Sequence, residues 1–204
     1  MQEIKNIDIF SKVLYDTGSI KVGKFLLASG KSSSIYVDMR KLLGNADGFK
    51  MIGNLLSQKV NELSKHEKLD VIAGVATGGI PWASIIAYLN SIPMAYIRQP
   101  KGHGTDSKVE GADVSNKYVL IVDDVSTTGG SIINSINTIK MQKGIVKSSL
   151  VIVDRGEGAI ENLKKEGVDL HYLFSLKDIL NSLLNQKLID VGIYNSIIFE
   201  LYGD

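Results

Sequence analysis

The chain has 204 residues, of which 44% are hydrophobic and 22% charged, and its formal net charge is +1. This length suits one folded domain with a substantial core, and a nearly neutral chain has no overall field to attract nucleic acid or a membrane surface. The sequence contains no cysteine, which excludes disulfides, thiolate catalysis and cysteine-ligated metals.

Two regions bear on where the protein is located. The first residues, 1–5, lack a basic region followed by an apolar run, so we expect no signal peptide and a cytoplasmic protein. Residues 71–97 carry no charge and could span a bilayer by length alone. Thr77-Gly78-Gly79 and two prolines interrupt this run, however. We therefore interpret it as a strand, a glycine turn, a helix and a second strand of a buried core.

The hydrophobic pattern predicts an N-terminal helix, then extended segments, then strands that alternate with helices. The first part is a helix at 4–15, an extended segment at 20–28, a polar turn at 29–34, a short strand at 35–38 and a long helix over 49–63 capped near Asn45 or Asp47. Further strands are predicted at 70–76, 94–98, 118–123, 146–154 and 170–175. Helices are predicted at 80–90, 131–142, 158–166 and 176–186, the last opened by a capping box of Ser175 and Asp178. Alternation of this kind predicts an α/β fold with a central, mostly parallel sheet flanked by helices.

The most specific motif follows the predicted strand at 118–123. Apolar residues 119–122 lead into two acids and then into hydroxyls and glycines: Asp123, Asp124, Val125, Ser126, Thr127, Thr128, Gly129, Gly130 and Ser131. Loop amides and the dipole of the following helix favour a phosphate, and hydroxyls add donors. The two carboxylates can accept hydrogen bonds from sugar hydroxyls. The motif therefore indicates a site for a phosphorylated sugar.

Other candidate residues lie where further strands end. Ligands of open α/β sheets bind beyond the carboxyl ends of the strands. Thr77, Gly78 and Gly79 form a second glycine turn whose amides are a candidate cradle for pyrophosphate. Residues 99–116 have no apolar period and are predicted to be a long flexible lid. Its Lys101 and His103 can neutralise a departing pyrophosphate.

Together these motifs resemble the type I phosphoribosyltransferases, and nearly the whole chain is similar to orotate phosphoribosyltransferase. The residues that carry the narrower resemblance are the Ser29-Gly30 turn after residues 25–28, the strand Ile35-Tyr36-Val37-Asp38, the loop with Arg98, Lys101, His103 and Gly104 that closes with Glu110-Gly111, and Arg155 after the strand at 146–154. The resemblance implies the type I phosphoribosyltransferase fold in a single domain over residues 1–204. It also implies a small N-terminal hood, largely from 18–40, and a flexible catalytic loop at about 99–116.

The resemblance further implies magnesium-dependent transfer of phosphoribosyl from 5-phosphoribosyl 1-pyrophosphate to orotate, giving orotidine 5′-monophosphate and pyrophosphate in pyrimidine biosynthesis. The implied catalytic residues are Lys101, His103, Asp123 and Asp124. The implied contacts to phosphoribosyl pyrophosphate are Arg98, Lys101, His103, Thr77, Gly78, Gly79 and residues 123–131, and those to orotate are Ser29, Gly30, Tyr36, Thr127 and Arg155. Magnesium is expected to bind through pyrophosphate and water near Asp124, with no site built by the protein alone.

Members of this family are dimers in which the lid serves the partner's site. The resemblance therefore implies a homodimer with Arg98, Lys101 and His103 acting in trans, and we expect no nucleic-acid or membrane partner. Ala28 and Gly78 stand where some members have lysine. The spacing from Arg98 to Lys101 is one residue shorter than usual, with Gln99 where a second basic residue is common.

Two alternatives to orotate transfer share the same phosphate-binding motif. One is a purine phosphoribosyltransferase, against which the Ser29-Gly30 turn, the lid motif and Arg155 weigh, since a purine offers no carboxylate to a cation. The other is a regulator that senses phosphoribosyl pyrophosphate without turnover. Such regulators usually carry a DNA-binding appendage, and nothing in this sequence resembles one.

Overall fold

The computed structural model describes residues 2–26, 32–98 and 108–203. The helices are α1 (Gln2–Asp16), α2 (Ala46–Leu63), α3 (Gly79–Asn90), α4 (Gly130–Met141), α5 (Ala159–Lys165), α6 (Leu176–Asn185) and α7 (Val191–Tyr202), with a short 3-10 helix at Met39–Gly44. The strands are β1 (Ile20–Leu26), β2 (Ser32–Val37), β3 (Val71–Val75), β4 (Met94–Ile97), β5 (Val109–Gly111), β6 (Val119–Ser126), β7 (Ser148–Asp154) and β8 (Asp169–Ser175). The chain divides into two compact units, Met1–Lys50 with Phe174–Asp204, and Met51–Leu173.

The first unit contains a two-stranded sheet and terminal helices. β1 and β2 pair antiparallel, with Ile20 opposite Val37. α1 packs against α6, and the rings of Phe10 and Phe174 stack with their centroids 4.3 Å apart. The hydroxyl of Ser182 donates to Asp8 Oδ1 at 2.6 Å. A polar contact therefore joins α1 to α6, and the aromatic pair joins α1 to Phe174, which lies just before α6.

The second unit is built on a six-stranded sheet with the order β5-β4-β3-β6-β7-β8. β3 pairs parallel with β4 and β6, β6 pairs parallel with β7, and β5 pairs antiparallel with β4. All residues of β3 and β7 are buried, which explains why β3 and the centre of β7 are continuous apolar runs without alternation. Helices α3 and α4 pack against β3 and β6. The parallel sheet places the carboxyl ends of β3, β4, β6 and β7 along one edge.

Most predicted elements are confirmed, with boundaries that shift by a few residues. Asn45 caps α2, since its Oδ1 accepts from the Gly48 amide at 2.7 Å. The Ser175–Asp178 cap of α6 is also confirmed. Residues 71–97 form β3, α3 and β4 as interpreted. In the part of the chain that the structure describes, no helix has the length and apolar character needed to cross a bilayer.

Three predicted boundaries are wrong. The strand predicted to end at Asp123 continues to Ser126, because Val125 and Ser126 still pair with Val153 and Asp154 of β7. Residues 32–34, assigned to a polar turn, begin β2. The segment 99–116, assigned to a loop, contains β5, where Glu110 lies opposite Tyr96. The 3-10 helix and α7 were not predicted.

Candidate active site

The centre of the predicted site is the pair of carboxyls near the end of β6. Asp123 is 6% exposed. Its Oδ1 accepts from the Asp124 amide at 3.0 Å, and its Oδ2 accepts from the Ser131 hydroxyl at 3.0 Å. Asp124 is less buried, and its Oδ1 accepts from the Val125 amide at 2.9 Å. The strand and the first turn of α4 therefore fix the two side chains together.

The two carboxyls interact electrostatically. Burial, and next the negative charge of Asp124, raise the pKa of Asp123 to about 8. The hydrogen bonds from the Asp124 amide and the Ser131 hydroxyl oppose this change. At neutral pH Asp123 therefore holds its proton, and the carboxyl pair does not carry two full negative charges.

The segment that follows β6 presents polar groups to solvent. Thr127, Thr128, Gly130 and Ser131 are all exposed. Gly129, at φ 81°, is the N-cap of α4, and within the described residues no side chain caps this helix. Because the first amides of a helix have no partner within it, this N-terminus can bind an anion with its amides and dipole. Ser126 differs from its neighbours: its buried hydroxyl donates to Asp154 Oδ1 at 2.6 Å.

The glycine turn after β3 lies directly against β6. A Cβ at Gly78 would overlap the carboxylate of Asp124, and a Cβ at Gly79 would overlap the carbonyl oxygen of Val122. The Ala76 amide donates to Ile97 O at 2.8 Å, which ties the start of the turn to β4. The predicted pyrophosphate turn and the predicted sugar-phosphate loop are thus in contact, and glycine permits that contact.

Arg155 follows β7 and is 9% exposed. Its amide donates to Ser126 O at 3.0 Å, and its Nε donates to Glu157 Oε1 at 2.6 Å. Gly156 and Gly158 have φ values of 72° and 98°, so the chain turns back and brings Glu157 to the guanidinium. Burial raises the pKa of the neighbouring Asp154, and the hydrogen bond from Ser126 opposes this.

Arg98 lies at the end of β4. Its Nε and Nη2 each lie 3.1 Å from Glu110 Oε1 of β5, and its amide donates to Lys108 O at 3.0 Å. The two ends of the segment 99–107 are thus joined at adjacent strands. Lys101 and His103 lie outside the described residues.

The predicted orotate contacts divide into three groups. Thr127 and Arg155 lie in the second unit, near the carboxyl edge of the sheet. Tyr36 lies on β2 of the first unit, with its ring centroid 5.9 Å from that of Phe25. Ser29 and Gly30 lie outside the described residues, so their predicted role stays a prediction.

The donors available for a metal are the carboxylates of β6. Among the described residues there is no group of three histidine, aspartate or glutamate side chains arranged to hold a metal ion. Asp124 nonetheless supplies a partly exposed carboxylate, and Mg²⁺ prefers such donors when phosphates and water complete its shell. The residues present therefore fit a magnesium ion that a phosphorylated substrate brings with it.

Sequence reasoning missed Glu157 and the link between Ser126 and Asp154. A signal for Glu157 was present, since Arg155-Gly156-Glu157-Gly158 places opposite charges on either side of a glycine in a glycine-rich sequence typical of turns. The second joins residues of two different strands, and only the register of β6 against β7 brings them together.

Comparison with known proteins agrees with this geometry. A model of the phosphoribosyl transferase domain matches residues 40–172. The orotate phosphoribosyltransferase of Sulfolobus acidocaldarius is 44% identical, over 88% of this chain and 89% of the relative. The crystal structure of orotate phosphoribosyltransferase from Aeropyrum pernix is 43% identical, with a TM-score of 0.76 over 85% of this chain and 97% of that one. The Mycobacterium tuberculosis H37Rv enzyme in complex with 5-phospho-α-D-ribosyl 1-diphosphate is 26% identical, with a TM-score of 0.69 over 85% and 98%.

The family match covers more than half of the chain, and the identity to the Sulfolobus relative extends over most of both proteins. The motif at 123–131, the glycine turn at 77–79 and Arg155 lie along the sheet edge where this fold binds its ligands. The chain therefore belongs to the phosphoribosyl transferase domain family and, within it, to the orotate phosphoribosyltransferases.

Proposed function

We propose that this protein transfers the phosphoribosyl group of 5-phosphoribosyl 1-pyrophosphate to orotate, in the cytoplasm, as a step of pyrimidine nucleotide synthesis. A bond forms between a ring nitrogen of orotate and C1 of the ribose, that nitrogen releases its proton to the medium, and the bond from C1 to the pyrophosphate oxygen breaks. The observation that carries the proposal is the 44% identity to an orotate phosphoribosyltransferase along most of the chain, together with a carboxylate pair set before an uncapped helix.

The segment after β6 binds the ribose 5-phosphate. The first amides of α4 and the exposed hydroxyls of Thr127 and Thr128 donate to phosphate oxygens, and Ser131 contributes its backbone amide. Asp124 accepts hydrogen bonds from the ribose hydroxyls, and Asp123 holds Ser131 in place. These contacts fix the sugar so that C1 faces the base, which reduces the entropic part of the barrier.

The pyrophosphate lies against the turn at Thr77, Gly78 and Gly79. Magnesium, when bound near Asp124, supplies positive charge that stabilises the leaving pyrophosphate. Lys101 and His103 add positive charge to the same group. Their role is inferred from the family pattern, in which this loop serves the partner's site, so we propose a homodimer whose loops act in trans.

The base is recognised by its charge. Arg155 pairs with the carboxylate of orotate, and Thr127 offers a hydroxyl beside it. A guanidinium suits a planar carboxylate because it can donate two parallel hydrogen bonds. Ser29, Gly30 and Tyr36 are proposed to contact the ring.

The proposal is tested by incubating the protein with phosphoribosyl pyrophosphate and either orotate or adenine. Turnover is monitored by the loss of orotate absorbance and by chromatography of the products. Orotate is expected to be consumed with release of pyrophosphate only when magnesium is present, and adenine to be unchanged. Turnover of adenine in place of orotate would contradict the proposal. Binding of phosphoribosyl pyrophosphate without any turnover would indicate a sensor instead.

The shared site is tested by mixing two inactive variants, Lys101→Ala and Asp124→Asn. If the loop acts in trans, a heterodimer contains one site with an intact Asp124 and an intact Lys101, and activity returns. If the loop acts in cis, every site has one defect. Continued inactivity, with subunit exchange shown by mass spectrometry of the mixture, would contradict the shared site.

A further inference from the structure

The segment Arg155-Gly156-Glu157-Gly158 contains an ion pair whose acidic member, Glu157, has no role in the proposed reaction. Arg155 Nε donates to Glu157 Oε1 at 2.6 Å, a short distance typical of charge-assisted hydrogen bonds. The side chain of Arg155 is 11% exposed and that of Glu157 is 30% exposed. An ion pair this buried is screened less by solvent than a surface pair, so its geometry constrains both side chains.

The backbone around this pair is shaped to form it. Gly156 and Gly158 both adopt positive φ values, 72° and 98°, which residues with a Cβ rarely adopt. These two conformations lie on either side of Glu157, whose side chain reaches Arg155. The Arg155 amide is held by Ser126 O at 3.0 Å. The arginine is therefore fixed at its backbone by β6 and near the end of its side chain by Glu157.

An arginine fixed at both ends presents its guanidinium in one orientation. An unrestrained arginine would lose side-chain rotamer entropy on binding a ligand. Because the hydrogen bond to Glu157 restricts the side chain beforehand, a carboxylate ligand meets a prepared donor. The negative charge of Glu157 also reaches Asp154, where it contributes to the raised pKa, which places Glu157 close to this end of β7.

We propose that Glu157 is a positioning residue for the base: it orients the guanidinium of Arg155 and so sets the affinity for orotate, but not that for phosphoribosyl pyrophosphate. This inference rests on the proposed function, in which Arg155 binds the orotate carboxylate. Glu157 touches the arginine and acts through it.

The test compares Glu157→Ala, Glu157→Gln and the control Glu161→Ala by steady-state kinetics with each substrate varied in turn. Glu161 is a suitable control because its charge also reaches Asp154 and it lies in the first turn of α5. Loss of one charge-assisted hydrogen bond predicts a rise in the KM for orotate of about tenfold in Glu157→Ala. The KM for phosphoribosyl pyrophosphate is expected to stay within about twofold in the same variant.

The glutamine variant separates orientation from charge. Its amide oxygen can still accept from Arg155 Nε, so the KM for orotate is expected to rise only about threefold or less. Glu161→Ala is expected to match the wild type. Circular dichroism and thermal melts of all variants show whether each is folded.

Three results would overturn the inference. A lower KM for orotate in both Glu157 variants would mean that Glu157 competes with the substrate carboxylate. An equal loss for both substrates, or a loss in kcat alone, would mean a general structural role. No change in either variant would mean no role. Failure of the wild type to use orotate would defeat the proposed function, whereas an active wild type with unchanged variants would defeat this inference alone.

Discussion

The helices of the two units begin in different ways. In the first unit, α6 and α7 have side-chain caps: Ser175 accepts from the Asp178 amide and Asp190 accepts from the Ile193 amide. In the second unit, α3, α4 and α5 follow Gly78, Gly129 and Gly158, and within the described residues no side chain caps them. The three uncapped helices follow β3, β6 and β7, whose ends carry the site residues.

The N-terminus of a helix can thus serve either stability, when a side chain caps it, or ligand binding, when glycine begins it. A side-chain cap satisfies an amide of the first turn and stabilises the helix by about 1 kcal/mol. A glycine start leaves those amides and the helix dipole to a ligand. Changes at the carboxylates of β6 are therefore expected to alter activity, and changes at the glycine starts to alter local geometry and, through strain, stability. Changes at the side-chain caps are expected to alter stability alone.

The largest effect is expected from replacing Asp123 and Asp124 together by Asn. The amides keep the shape of the side chains but remove the charge that faces the ribose, so we expect kcat/KM to fall by at least about 10²- to 10³-fold. The fold should persist, since the amides keep the volume of both side chains and leave no uncompensated buried charge. Kinetics and urea unfolding measure the two quantities. Wild-type activity in this double variant would contradict the assignment of the site.

The pH dependence of the free energy of unfolding tests the raised pKa of the buried Asp123 carboxyl. Its pKa of about 8 in the folded protein, against about 3.9 when unfolded, means that the folded state binds the extra proton between these values. The stability that this proton contributes is fully present below pH 4 and is lost as the pH rises through 8.

In the Asp123→Asn variant the side chain is an amide, which stays neutral across this pH range. The variant's free energy of unfolding should therefore match the wild type near pH 4 and exceed it above pH 8, by an amount on the order of 3–5 kcal/mol. Urea unfolding across this range provides the measurement. A difference that does not vary with pH would show that the carboxyl ionises normally.

Two glycine starts offer a matched pair of substitutions. Gly129 and Gly158 have positive φ values of 81° and 98°, so alanine is strained at both, by about 1–2 kcal/mol. A Cβ at Gly129 would also overlap Leu163, whereas at Gly158 the nearest atom is Asn162 Nδ2 at 3.8 Å. Gly129→Ala should thus lose about 1 kcal/mol more stability than Gly158→Ala. Equal losses in denaturant titrations would mean that Leu163 moves aside.

The smallest effect is expected at the caps. Ser175→Ala and Asp190→Ala should each lower the free energy of unfolding by about 1 kcal/mol, which corresponds to a fall in Tm of roughly 2–4 °C for a chain of this size. Their KM values for both substrates should remain within about twofold of the wild type. A selective change in either KM would break the distinction between the two kinds of helix start.

The sheet edge was predictable because its signals are local. Runs of apolar residues followed by glycine or acid mark the ends of β3, β6 and β7, and the periodicity of the intervening helices is clear. The prediction that β6 ends at Asp123 was wrong, because aspartates are rare in strands. Here pairing with β7 continues past them to Ser126.

Other features depend on contacts that the sequence does not display. β5 spans only Val109–Gly111, too short to show alternation, and it forms by pairing with β4. α7 is apolar at most positions, with β-branched residues and Gly192, so it lacks a polar face that would identify a helix. The hydrogen bond between Arg155 and Glu157 depends on the φ values of two glycines, which residue identities suggest but do not determine.

The close contact of the glycine turn with β6 has a consequence for motion. Gly78 lies against the carboxylate of Asp124 and Gly79 against the carbonyl of Val122, so neither segment can shift without the other. Amides of residues 77–80 and 124–126 are therefore expected to exchange with deuterium as one cooperative unit. Inorganic pyrophosphate, added alone, should slow exchange at both segments, so that occupation of one half of the site prepares the other.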